Sequence, residues 1–224
     1  MLHAMRAPMH REMTCTISDD YWTDFYKRSK SGAPVYPSQF AAFAINEFAG
    51  VDGVIEFGCG NGRDSHFFAT NGFELLALDA SEQAIALCRS RNRYEHACYR
   101  QCKASAAGRE IEGFLQGKRK VAVYARFFLH AIDEGEQCGF LGVLSSLLPS
   151  GSQLFLEYRT IDDARQEKEF GNDHYRRYLE HRETLATIEA AGFSIAYEVE
   201  GRGLAKYKDE DARVGRCVAI RGRP

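Results

Sequence analysis

Residues 54–72 read VIEFGCGNGRDSHFFATNG: an apolar run ending in an acid, three glycines at alternating positions, then a stretch that opens as a helix. Glycines at such a strand-to-helix turn let the backbone approach a ligand with no Cβ in the way. A dinucleotide-binding turn takes the form G-x-G-x-x-G, because its third glycine permits close helix–strand packing beside a pyrophosphate. Here Gly58, Gly60 and Gly62 follow G-x-G-x-G, and Arg63 stands where that third glycine belongs. The nicotinamide reading therefore loses its main support, and a phosphate loop is excluded because no G-K-[ST] follows.

Outward from this loop, short apolar runs alternate with amphipathic stretches. GVIEFG reads as strand one, 63–71 as a helix closed by Gly72, FELLALD as strand two, and Ser81 as the cap of SEQAIALCRSRN. ACYRQCKA, VAVYARFF, QLFLEYRT, FSIAYEVEG and RCVAIRG read as further strands, with helices over 109–117, 134–148 and RETLATIEAAGF. Strand–helix alternation through the chain implies an α/β domain: a mainly parallel sheet with helices on both faces. In such sheets ligands gather beyond the carboxyl ends of the strands, near the switch point after strand one, where the glycine loop sits.

The rest of the chain sets bounds. At 224 residues and 45% hydrophobic it has material for one core, so residues 21–224 read as a single domain behind a polar tail at 1–20. A net charge of −2 gives no global attraction to a polyanion, so nucleic acid is not the expected partner. No apolar run approaches the ~20 residues that span a bilayer, and the first twenty lack the apolar core of a secretory signal. Seven cysteines at irregular spacing suit reduced thiols in a cytoplasm rather than a disulfide framework. His96, Cys98 and Cys102 cluster locally without a second ligand pair at zinc spacing, so no metal is expected. Nothing in the sequence fixes the oligomeric state.

Glu56, Gly58, Gly60 and Gly62 form E-x-G-x-G-x-G, and Asp79 ends the next apolar run 23 positions after Glu56. This combination resembles the class I S-adenosylmethionine-dependent methyltransferases. The resemblance implies a Rossmann-like three-layer sandwich with a seven-stranded sheet whose last strand is antiparallel. It also implies S-adenosylmethionine as cofactor, S-adenosylhomocysteine as product and no metal. The glycine loop, Cys59 and Ala80 would then lie along the cofactor, and Asp79 would accept hydrogen bonds from its ribose hydroxyls. A carboxylate can take two hydroxyl donors at once through charge-assisted bonds. Asp79 can equally serve as a turn residue ahead of Ser81, and the loop needs mainly the backbone of Cys59. Many family members read the adenine amino group with an acid after strand three; CKASAAG offers only backbone at Ala104 or Ser105.

Methyl transfer from a sulfonium is an in-line displacement, so the protein must align the acceptor and, where needed, remove its proton. YARFFLHAI resembles a subgroup of small-molecule methyltransferases, some associated with surface-polysaccharide sugars, in which an Arg and a His follow strand four. Arg126 and His130 stand there, one helical turn apart. Arg126 is assigned to catalysis, cofactor and acceptor alike, and His130 is the first choice as base. Period two puts Glu157 and Arg159 on one face of strand five, with Tyr158 opposite. GNDHYRRYLEHRE, where this fold commonly inserts a substrate-binding element, offers His174, Tyr175 and Arg176, with Tyr175 a further catalytic candidate. YWTDFYKRSK gathers an aromatic face and reads, with the helix after Pro37, as a lid over about 21–50 that could bring Tyr21 or Tyr26 to the acceptor. Each of these side chains has a plain alternative in surface or core packing. Together they indicate methyl transfer to a small anionic metabolite or sugar derivative. The alternatives are a methyltransferase of tRNA or another macromolecule, and a cofactor-binding protein without catalysis.

Overall fold

In the computed structural model, which describes residues 34–164 and 176–222, the apolar run that opens the deciding stretch is a strand buried on both sides. The elements follow as α1 Gln39–Glu47, β1 Val54–Phe57, α2 Arg63–Thr70, β2 Leu75–Asp79, α3 Glu82–Arg91 and β3 Ala97–Gln101. Then come α4 Gly108–Leu115, β4 Ala122–Arg126, α5 Glu134–Leu147, β5 Gln153–Arg159, α6 His181–Ala190, β6 Phe193–Gly201 and β7 Val214–Arg221. The strands form one sheet in the order β3-β2-β1-β4-β5-β7-β6, in which only β7 runs against its neighbours. This is the Rossmann-like sandwich, antiparallel last strand included, that the sequence implied.

The strand period of two divides the core. Ile55, Phe57, Val123 and Leu156 pack on one face with Ile111 of α4, Phe140 of α5 and Ile188 of α6. Val54, Ala122, Tyr124 and Phe155 pack on the other with Phe40 of α1, Phe68 of α2 and Ile85 of α3. Helices therefore cover both faces, as parallel strands require. Local signals explain the helix starts: the Ser38 hydroxyl accepts from the Ala41 N–H, Ser81 from Ala84 and Asp133 from Glu136.

Of the stretch read as a lid, residues 21–33, with Tyr21 and Tyr26, lie outside the described residues. Its second half, α1, is core: Phe40 stacks on Tyr124 at 5.1 Å between centroids, and Phe48 meets Phe155 edge-on at 5.2 Å. At the other end of the sheet the chain returns along β5 through a parallel bridge between Thr160 and Leu179. The Arg177 N–H donates to the His130 carbonyl at 2.8 Å, so this return passes beside the carboxyl ends of β4 and β5.

Candidate cofactor and acceptor site

The switch point lies between β1 and β4, and the glycine loop turns there. Gly58, Gly60 and Gly62 all have positive φ, at 69°, 56° and 78°, which explains the residue type at each. A Cβ on Gly62 would come within 2.8 Å of the Cys88 sulfur, and one on Gly58 within 3.0 Å of the Phe128 ring. Cys59 is buried, and its contact with Cys88 together with burial pushes its thiol well up, so it supplies backbone rather than a nucleophile.

Asp79 closes β2 beside the loop. One oxygen accepts from the Gly60 N–H at 2.9 Å and the other from the Ser81 N–H at 2.9 Å. The turn reading of this acid holds: it ties the turn and orients the glycine loop, while each oxygen keeps a lone pair for a further donor. Burial raises its carboxyl above the usual range, and the two backbone donors pull the other way. Ala80 is exposed next to it, and its carbonyl accepts from Gln101. Ser105 spends both its N–H and its hydroxyl on Glu136, at 3.0 and 2.6 Å, and the Ala104 carbonyl accepts from the Ala107 N–H at 3.2 Å.

Glu56 lies beneath the loop on the α1 face, buried, and takes a short hydrogen bond from the Ser65 hydroxyl. Burial, reinforced by the charge of Asp64, pushes its carboxyl well above the ordinary value. A carboxyl that keeps its proton to higher pH folded than unfolded contributes stability that is full below the unfolded value and lost as pH rises through the folded one. Thermal unfolding followed from about pH 4 to about pH 8 is therefore expected to show a decline that Glu56→Gln reduces. An unchanged slope in that variant would show that Glu56 ionises freely in the fold.

Beside Glu56 lies a polar layer that reading the sequence missed. Asp64 accepts from the Ser38 N–H and hydroxyl at 2.7 and 2.8 Å and from the Tyr124 hydroxyl at 2.8 Å, tying α2 to the entry of α1 and to β4. Two residues along β4, Arg126 donates its Nε to Glu157 at 2.8 Å, and Arg216 of β7 donates its Nε to the other oxygen at 2.6 Å. The register sets Arg126 opposite Glu157 and Glu157 opposite Arg216, so the three form a row across β4, β5 and β7. Burial weakens the Arg126 guanidinium, but the adjoining Glu157 outweighs it and holds the group above its usual value. The arginine in RCVAIRG was the available signal: Arg216 shares its strand face with Val218, and an inward arginine needs an acid.

The remaining candidates separate. Arg159 is buried and donates to Asp163 at 2.6 Å and, through a short bond, to Glu210, so its charge is met within the fold. His130 is buried, its Nδ1 accepting the Arg159 N–H at 3.1 Å. In the neutral ring that bond puts the proton on Nε2, so the imidazole presents a donor rather than a base at its other edge. Between them Phe127 holds φ at 55°, a left-handed conformation that costs a non-glycine residue roughly 1–3 kcal/mol. It is pinned by its N–H on the Glu157 carbonyl at 2.7 Å, with Arg126 4.0 Å and Arg159 5.0 Å from its ring centroid. Glu157 is buried and fully used by its two arginines. Arg176 is half-buried where the chain re-enters, while His174 and Tyr175 lie outside the described residues.

The comparisons with known proteins agree with this geometry. A family model described as a methyltransferase domain matches residues 54–151. No curated protein matches the chain. Among solved structures, a SAM-dependent methyltransferase from Anabaena variabilis is 17% identical, with a TM-score of 0.67 over 98% of this chain and 99% of that one. The glycopeptide N-methyltransferase MtfA in complex with S-adenosylmethionine is 17% identical, with a TM-score of 0.62 over 86% and 98% of the two chains. A putative methyltransferase solved in complex with the Haloferax volcanii Trm112 activator is 12% identical, with a TM-score of 0.63 over 92% and 97%. The matched range contains the three-glycine loop and Asp79. Residues 54–151 thus match a methyltransferase domain, and the chain has the fold of the S-adenosylmethionine-dependent methyltransferases of known structure.

Proposed function

We propose that this methyltransferase acts on a small anionic acceptor bound beyond the carboxyl ends of β4 and β5. The single observation that carries the reading is the excess of guanidinium at that edge: Arg63, Arg126 and Arg216 stand on the α1 face against the carboxylates of Asp64 and Glu157. The weight falls on Arg126, because Arg159 is already neutralised by Asp163 and Glu210. Bound S-adenosylmethionine supplies the electrophilic methyl group on its sulfonium. The protein's part is alignment: Glu157 fixes Arg126, and Asp79 fixes the loop. In this reading Tyr21, Tyr26, His174, Tyr175 and Arg176 complete the acceptor pocket. Among the described residues no helix is long and apolar enough to cross a membrane, and the six cysteines there are free thiols, which supports a place in the cytoplasm.

The test is methyl transfer from labelled S-adenosylmethionine to a panel of small acceptors in matched pairs, each acid beside its neutral ester or amide. Turnover confined to the acids, and weakened mainly in KM by Arg126→Met, is the expected result. Preference for the neutral partners would remove the anionic acceptor while leaving the methyltransferase in place. A small-molecule acceptor also predicts turnover that survives added salt, whereas an RNA substrate would be lost steeply as salt rises.

A further inference from the structure

We propose that Phe127 is a positioning residue for the acceptor: its ring, carried to the α1 side of the sheet by a left-handed backbone, sets the direction in which Arg126 presents its guanidinium. The inference rests on the anionic-acceptor reading and adds the device that aims its arginine. Period two along β4 puts Ala122, Tyr124 and Arg126 on the α1 face and Val123 and Ala125 on the other, so an extended chain would send residue 127 toward α4, α5 and α6. The φ of 55° breaks that alternation. The ring of Phe127 packs instead with Leu204, Ala205, Ala212 and Val214, and Val214 shares the α1 face of β7 with Arg216 and Val218. Phe128 takes the opposite side, its ring 6.0 Å from that of Phe57 and 5.4 Å from that of Phe140.

Placed there, the ring meets the guanidiniums of two strand ends. The central carbon of Arg126 lies over it, 4.0 Å from the centroid, and that of Arg159 lies at 5.0 Å, while the His130 ring meets it edge-on at 5.3 Å. An aromatic face attracts cations, so one ring holds two like charges that would otherwise repel. For Arg126 the consequence is orientation. Its Nε bond to Glu157, at 2.8 Å, pins one edge of the planar group, and the ring beneath its central carbon removes the swing that one bond leaves. Its Nη donors then point in one direction, which is what an anion held at a reacting distance requires. The arrangement is over-determined, as a strained backbone must be to persist. The Phe127 N–H is held by the Glu157 carbonyl at 2.7 Å. The hairpin between β6 and β7 that seats the ring is tied down by Arg216 on the Leu204 carbonyl, at 2.5 Å, and by Arg159 on Glu210.

The test is fluorine NMR titration of the 224-residue chain in the presence of S-adenosylhomocysteine, with trifluoroacetate as the anionic probe and trifluoroacetamide as its neutral twin. Phe127→Leu keeps apolar bulk, and Phe127→Gly accepts the left-handed backbone and so removes the strain together with the ring. Both are expected to weaken trifluoroacetate by about threefold to thirtyfold, the range of a guanidinium–ring contact. Phe127→Tyr restores the ring and is expected to bind as wild type, and trifluoroacetamide is expected to be indifferent to all three changes. Circular dichroism and thermal melting of each variant separate a loss of fold from a loss of aim. Unchanged trifluoroacetate binding in the leucine and glycine variants, or an equal loss in the tyrosine variant, would overturn the role of Phe127 and leave the anionic acceptor standing. No preference of the wild-type chain for trifluoroacetate over trifluoroacetamide, or a preference that Arg126→Met leaves intact, would overturn the anionic-acceptor reading itself.

Discussion

Replacing Glu157 by alanine is expected to destabilise the protein by about 3–5 kcal/mol, because it leaves buried guanidiniums without their acid. The carboxylate sits at the centre of the β4–β5–β7 row, 2.8 Å from Arg126 Nε and 2.6 Å from Arg216 Nε, with no exposure of its own side chain. Its removal sets two like charges facing each other across the strand it came from. The pair itself is a different matter: taking two charges out of water costs much of what their attraction returns, so Glu157→Leu combined with Arg216→Leu is expected to recover part of the loss. Urea unfolding of the single and double variants measures this. A single variant within about 0.5 kcal/mol of wild type, the range of a surface substitution, would mean the row is solvated. The two readouts also separate roles, since Arg126 loses its anchor in both variants and acceptor use should fall in both, whatever the stability.

The second large effect is on cofactor affinity. Asp79→Ala is expected to weaken S-adenosylhomocysteine by at least about a hundredfold, the loss for two charge-assisted bonds from ribose hydroxyls. It also removes the acceptor of the Gly60 and Ser81 N–H groups, 2.9 Å away in each case, so the loop that carries the cofactor loses its tie to β2. Asp79→Asn keeps one carbonyl oxygen but turns an N–H₂ toward one of those donors, and should fall between the two. Affinity within about twofold of wild type in the alanine variant, as for a neutral surface change, would remove Asp79 from the site.

Much of this was legible before any coordinates. The sheet could be read from periodicity because β1, β4 and β5 are apolar runs bounded by turn residues, and the loop because positive φ at 58, 60 and 62 leaves glycine as the natural choice. Asp79 was legible as a turn acid, since it ends a strand beside the glycine turn and ahead of the capping Ser81. The polar layer was not. Asp64 reads as an ordinary acid in the first turn of a helix, and only the packing of α1 against β4 shows that it faces inward to Ser38 and Tyr124. Arg159 looked like a site arginine because its strand-end position is right, but its partners Asp163 and Glu210 lie 4 and 51 positions away, and the second cannot be paired without the fold. His130 was placed correctly beyond β4, while its tautomer depended on a backbone N–H from β5 that no spacing rule reveals.

The most direct measurement is calorimetric titration of the 224-residue chain with S-adenosylhomocysteine, with a nicotinamide dinucleotide as the parallel ligand. Saturable one-to-one binding of the first, largely abolished by Asp79→Ala, and no heat from the second are the expected results. Binding of the dinucleotide without S-adenosylhomocysteine, or S-adenosylhomocysteine binding indifferent to Asp79, would contradict the cofactor reading.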